Sequence, residues 1–133
     1  MPSPEQLEYA DLLLNKAAGD LAAARALADA RNVGDDIVGF HAQQATEKAL
    51  KAALAIVGVE IPLTHDVDHL VELAEGAGCD PPEAVREAGW LSPWAVQFRY
   101  EGSVEELDRS AAIAVAAAVV DWTRAALAHE SDA

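Results

Sequence analysis

Residues 40–58 read FHAQQATEKALKAALAIVG. At about 100° per residue, bulky Phe40, Leu50, Leu54 and Val57 fall within one arc of a helix. Ala45, Ala49, Ala52, Ala53 and Ile56 occupy a second arc, small enough for another helix to approach closely. His41, Gln44, Lys48 and Lys51 form a polar band between the two. The spacing predicts a helix from about Asp36 to Val57, which Gly58 ends and Pro62 keeps from resuming.

Gln43 and Glu47 do not fit a simple amphipathic pattern, because they project into the middle of the bulky apolar arc. Either that arc is half wet and both reach solvent, or they form a polar pair held inside a core or across a two-fold interface. The second reading is preferred, since the rest of the arc is too apolar to face water, and an enclosed amide and carboxylate then need partners. The polar band also has two readings. It is either the solvated side of the helix or a small anion-binding strip, with charge from Lys48 and donors from Gln44 and His41. Lysine is scarce: of three in the chain, two lie here, one turn apart.

Towards the amino terminus, Ser3, Pro4 and Gln6 form a capping box opening a helix. Apolar residues recur at Leu7, Ala10, Leu14, Ala17, Leu21, Ala24 and Ala28, and the helix is expected to end near Arg31, before Asn32 and Gly34. Towards the carboxyl terminus, Thr64 is expected to cap a third helix from His65 to about Glu75, followed by a short helix from Pro82 to Ala88. Trp90 to Glu101 reads as a packed connection with a turn or two of helix. Ser103 and Glu106 suggest a second capping box, opening a last helix from Val104 to about Ala128, with a frayed tail from Glu130. No stretch alternates with period two, and the links are short. The pattern predicts one all-α domain over residues 1–133, an up-and-down antiparallel bundle of four or five helices.

The chain has 133 residues, thirty of them alanine and seven aromatic, so the core must come mostly from Ala, Leu and Val. Nine Lys and Arg against 23 Asp and Glu give a formal charge of −14, which opposes broad nucleic-acid binding without excluding a local basic site. The single cysteine, Cys79, permits no intrachain disulfide. The start, MPSPEQLEY, lacks the features of a signal peptide, and Ala111 to Val120 is about half of what spans a bilayer. A cytoplasmic protein with no membrane association is expected.

Phe40-His41-Ala42-Gln43-Gln44-Ala45-Thr46-Glu47-Lys48-Ala49-Leu50-Lys51-Ala52, followed by Gly58, Pro62 and Thr64-His65-Asp66, resembles the signature of HEPN domains. These are small helical proteins of higher eukaryotes and prokaryotes, associated with nucleotide binding. Ala10, the stretch from Gly19 to Ala24, and Arg99-Tyr100 also match. The resemblance implies a bundle that is usually dimeric and often encoded beside a minimal nucleotidyltransferase, in some cases as a toxin–antitoxin pair. It also implies that several branches are metal-independent ribonucleases carrying an Arg and a His four to six residues apart, joined across the dimer. This sequence departs from that pattern. Arg99 has no His within seven residues after it, and the one match, Arg124 to His129, turns through about 140° on a helix.

The expected function is therefore a homodimeric HEPN module without strong catalytic activity. It would bind a nucleotide or other phosphate-bearing ligand in a cleft lined by His41, Gln44, Lys48, His65 and Arg99, or a partner nucleotidyltransferase, or both. Gln43 and Glu47 are expected to be buried or at an interface. A ribonuclease toxin and a purely structural helical partner are the alternatives. His65 and His69 stand four apart, but no third residue completes a convincing metal set, so no metal or cofactor is expected. Trp90, Trp94 and Phe98 read as core or dimer contacts, and Trp122 as core.

Overall fold

In the computed structural model, the residues described are 1–96 and 106–131. They form α1 (Pro4–Leu27), α2 (Asp35–Ile56), α3 (Val67–Gly76), α4 (Glu83–Arg86), a 3-10 helix (Ala88–Ala95) and α5 (Arg109–Ser131), with no strand among the described residues. The fold is an all-α bundle. α1 runs against α2, so that Tyr9 and Ala55 line one recess at one end and Leu27 meets the start of α5 at the other.

α2 is the central rod and touches α1, α3, α5 and the 3-10 helix. Val38, Ala42, Ala45, Ala49, Leu50, Ala52 and Leu54, which point in several directions around it, are all fully buried. A helix enclosed this way must be apolar nearly all round. Alanine makes that possible, because it lets neighbouring backbones come close while adding little bulk. The two ends of the bulky arc are wetter than its middle: Phe40 is half-buried and Val57 exposed. Gly39 is required by a close approach. A Cβ there would lie 2.5 Å from Cε3 of buried Trp94, so the indole packs directly against bare backbone. Trp90, expected in the core or at a dimer contact, is exposed on this chain, and Phe98 lies outside the described residues.

The helix ends show where local chemistry suffices. The capping box of α1 forms as expected: Gln6 N–H donates to Ser3 Oγ at 3.1 Å, and Ser3 N–H donates to Gln6 Oε1 at 2.8 Å. After α2, Gly58 takes φ +75°, and after α3, Gly78 takes φ +92°. In each case the next residue reaches back, Val59 N–H to Leu54 O and Cys79 N–H to Ala74 O, the paired hydrogen bonds of a Schellman ending.

Four boundaries depart from expectation. α1 stops at Leu27, four residues early, where its last carbonyls are taken by Arg109 from α5. α3 starts at Val67, because Asp66 rather than Thr64 caps it, accepting from His69 N–H at 3.2 Å. Thr64 Oγ1 accepts instead from Asp66 N–H, which leaves His65 outside the helix. α5 starts at Arg109 rather than Val104: residues 106–108 are not helical, and the Asp108 carboxylate accepts from Ala111 N–H at 3.0 Å. Ser103, proposed for that cap, lies outside the described residues. At its far end α5 continues to Ser131 rather than stopping near Ala128.

α5 packs against α1, α2 and α4 through Ala112, Ala116, Val119, Val120 and Thr123. By length and composition alone it could cross a membrane, and 28% of its most apolar stretch is buried within one chain.

Candidate functional site

Glu47 sits at the centre of a polar network inside the bundle. It is 4% exposed, and Gln43 one turn before it is fully buried. Gln43 Nε2 donates to Glu47 Oε1 at 3.0 Å and to the His65 carbonyl at 3.4 Å, while Gln43 Oε1 accepts from Gln44 Nε2 at 2.7 Å. Lys51 Nζ donates to Glu47 Oε2 at 3.0 Å. His65 Nδ1 lies 2.7 Å from Glu47 Oε1, the geometry of an imidazole N–H donating to a carboxylate. Burial, the largest influence on the Glu47 carboxyl, pushes its pKa up. The hydrogen bonds from Gln43, His65 and Lys51, with the Lys51 charge, outweigh that and hold it below the ordinary value.

A second cluster joins α1 to α2. Asp20 presents Oδ1 to His41 Nδ1 at 2.9 Å and Oδ2 to Lys48 Nζ at 2.5 Å. Both basic side chains are about a quarter to a third exposed, at 29% for His41 and 26% for Lys48. The polar band of α2 is therefore half-buried, and a carboxylate closes it.

A third cluster, absent from the sequence expectations, centres on Arg109. Arg109 Nε donates to Asp35 Oδ1 at 2.8 Å, and its remaining donors reach the carbonyls of Leu27, Ala28, Ala30 and Val33. Asp35 Oδ2 also accepts from Leu107 N–H at 3.1 Å. Burial pushes the Asp35 carboxyl up, but the Arg109 and Leu107 hydrogen bonds and the Arg109 charge leave it net below the ordinary range. The only sequence clue was an acidic residue opening α2 and an arginine before an alanine-rich run.

Among the described residues, the expected site residues lie in two places. His41, Gln44 and Lys48 line one side of α2. His65 lies off the start of α3, its side chain 73% exposed, on a recess of about 700 Å³ shared with Asp66, Asp68 and Ser92. Arg99 lies outside the described residues. Arg124 and His129 are both exposed near the end of α5, and the only ionic neighbour of Arg124 among the described residues is Asp121 at 3.8 Å. Among the described residues no group of three His, Cys, Asp or Glu is placed to hold a metal ion.

In chemical terms, each basic group of the α2 network faces a carboxylate at hydrogen-bond distance: His41 and Lys48 face Asp20, and His65 and Lys51 face Glu47. Comparison with curated proteins and with solved structures returns no match. The family model for the HEPN domain matches residues 10–126, a span that takes in the Asp20 cluster, the Glu47 network and most of α5. With that match covering most of an all-helical bundle, the chain belongs to the HEPN domain family.

Proposed function

We propose that this HEPN domain is a non-catalytic interaction module: two copies pair through α5, and the pair engages a protein partner. The observation that carries this is that His41, Lys48, Lys51 and His65 are each tied to a carboxylate of the same chain. Asp20 in this way ties α1 to α2, and Glu47 ties α2 to the link before α3. The α5 surface supports the pairing. It exposes small Ala114, Ala125 and Ala128, with half-buried Ile113, Val115, Trp122 and Leu127 beside them. Family resemblance makes a minimal nucleotidyltransferase the leading candidate partner, and a cytoplasmic setting fits that role.

Size-exclusion chromatography with light scattering tests the pairing, with a dimer expected at micromolar concentration and a monomer counting against it. The phosphate-ligand reading, with His41, Gln44, Lys48 and His65 as contacts, keeps one support: Lys48 and His41 are partly exposed. If it holds, ATP raises the melting temperature of the wild type and leaves Lys48→Ala unmoved, whereas the interaction reading expects no rise in either. The ribonuclease reading requires RNA cleavage by purified protein, lost on Arg124→Ala or His129→Ala. The interaction reading expects RNA to remain intact.

A further inference from the structure

We propose that the end of the bundle formed by the first half of α1 and the α2–α3 connection docks a segment of a partner protein that is both basic and apolar. This rests on reading the protein as an interaction module, and it adds the surface and the chemistry of what binds there.

A recess of about 320 Å³ opens at this end, with Tyr9, Ala55, Val59 and Ile61 as its apolar lining and Glu5 and Glu60 beside them. Tyr9 and Leu12, one turn apart on α1, are 49% and 48% exposed. Among the described residues seven large apolar side chains are exposed. Five of them, Met1, Tyr9, Leu12, Val57 and Leu63, fall within residues 1–12 and 57–63, and only Trp90 and Val96 lie elsewhere. Apolar surface concentrated in this way, next to a recess, is characteristic of a contact site.

The charge around it selects the occupant. Glu5, Glu8, Asp11 and Glu60 are exposed, and none has an ion-pair partner among the described residues, unlike Asp20, Asp35 and Glu47. The positive groups on the same stretches are Lys16 and the Met1 amine, with His65, which faces Glu47, at the far end of the connection. A second copy of this chain, docked symmetrically here, would bring these four carboxylates against their own images. α5 is less strongly charged, since the acids at its surface among the described residues are exposed Asp121, with Arg124 beside it, and half-buried Glu130 near its end. Lys or Arg on a partner would complement the acidic rim, its aliphatic side chains would fill the recess, and an Arg could stack on the Tyr9 ring.

The test is a titration of the full ¹⁵N-labelled chain with a synthetic amphipathic Lys/Leu helical peptide. The comparators are a scrambled peptide of the same composition and a Glu/Leu peptide. The expected result is saturable shift changes confined to Gln6, Tyr9, Leu12, Val59, Glu60 and Ile61. Tyr9→Ser should weaken binding about tenfold, the loss of one aromatic anchor. Glu5→Gln with Glu60→Gln should flatten its salt dependence. Leu12→Ser serves as a second variant if Tyr9→Ser perturbs the fold by circular dichroism. Changes spread over every acidic surface, changes centred on the start of α3, or equal binding of the scrambled peptide would overturn the proposal. A diffuse response from an intact dimer defeats this surface and leaves the interaction module standing. A monomer that still binds the peptide at Tyr9 removes the α5 pairing but not this surface.

Discussion

The Arg109 clasp and the Glu47 network join helices by the same chemistry, a carboxylate ringed by donors, but they sit at different depths. Glu47 is enclosed mid-helix, with its hydrogen-bond partners on α2 or in the link before α3. Arg109 lies at the opening of α5 and gathers carbonyls from the end of α1 and the α1–α2 link. The first satisfies a charge that burial makes costly. The second satisfies backbone groups that a helix end leaves open. One kind of bond therefore answers two different needs, and the two sites should fail differently.

The largest effect is expected at the clasp. Arg109→Ala leaves several carbonyls and Asp35 without their donor, and should cost about 3 kcal/mol, on the order of 10 °C in Tm. Arg109→Lys keeps the charge but loses the fork and should recover less than half of that. If thermal denaturation shows Arg109→Ala within a degree or so of wild type, the clasp is ornamental and the comparison fails.

Glu47→Gln is expected to cost about 1–2 kcal/mol at pH 7, because Lys51 and His65 lose a buried anion. Its pH signature separates it from Arg109→Ala. A carboxyl held low in the folded state stabilises the fold above its ordinary value of about 4.3, and that contribution is lost as pH falls through the lower native value. Wild-type stability should therefore decline with acid, and Glu47→Gln should decline less steeply below about pH 5. Denaturant melts across pH measure this, and parallel slopes in the two proteins would contradict the network.

Gly39→Ala tests packing without charge. Alanine favours a helix interior over glycine by about 1 kcal/mol, but the new methyl meets the Trp94 ring at 2.5 Å. Overpacking should win, giving a net loss of about 1 kcal/mol in urea denaturation. The smallest effect has the opposite sign. Thr123 Oγ1 is buried without a hydrogen-bond partner among the described residues. Thr123→Val should leave stability unchanged or raise it by about 1 kcal/mol, checked by the same melts.

The enclosure of Gln43 and Glu47 could be read in the sequence; their partners Lys51 and His65, and the Arg109 clasp, could not. Gln43 and Glu47 stand out because their polarity breaks an apolar arc, a contrast visible at helical spacing alone. Arg109 has no such signature, since its partners are backbone carbonyls some eighty positions away, and every residue supplies one. The candidate ligand site was partly legible for the same reason. The band of His41, Gln44 and Lys48 follows from periodicity, while Asp20, which closes it, lies a whole helix away.

What the sequence alone determined is the helical architecture: apolar spacing set the long helices, Ser3 and Gln6 set the first cap, and Gly58 and Gly78 set two endings. These rest on neighbours within a turn or so, where geometry is nearly invariant. Only the tertiary structure decided which carboxylate each basic group meets, where α1 and α5 stop and start, and which apolar faces remain open. Those outcomes depend on how rods distant in the chain lie side by side, which no local spacing encodes.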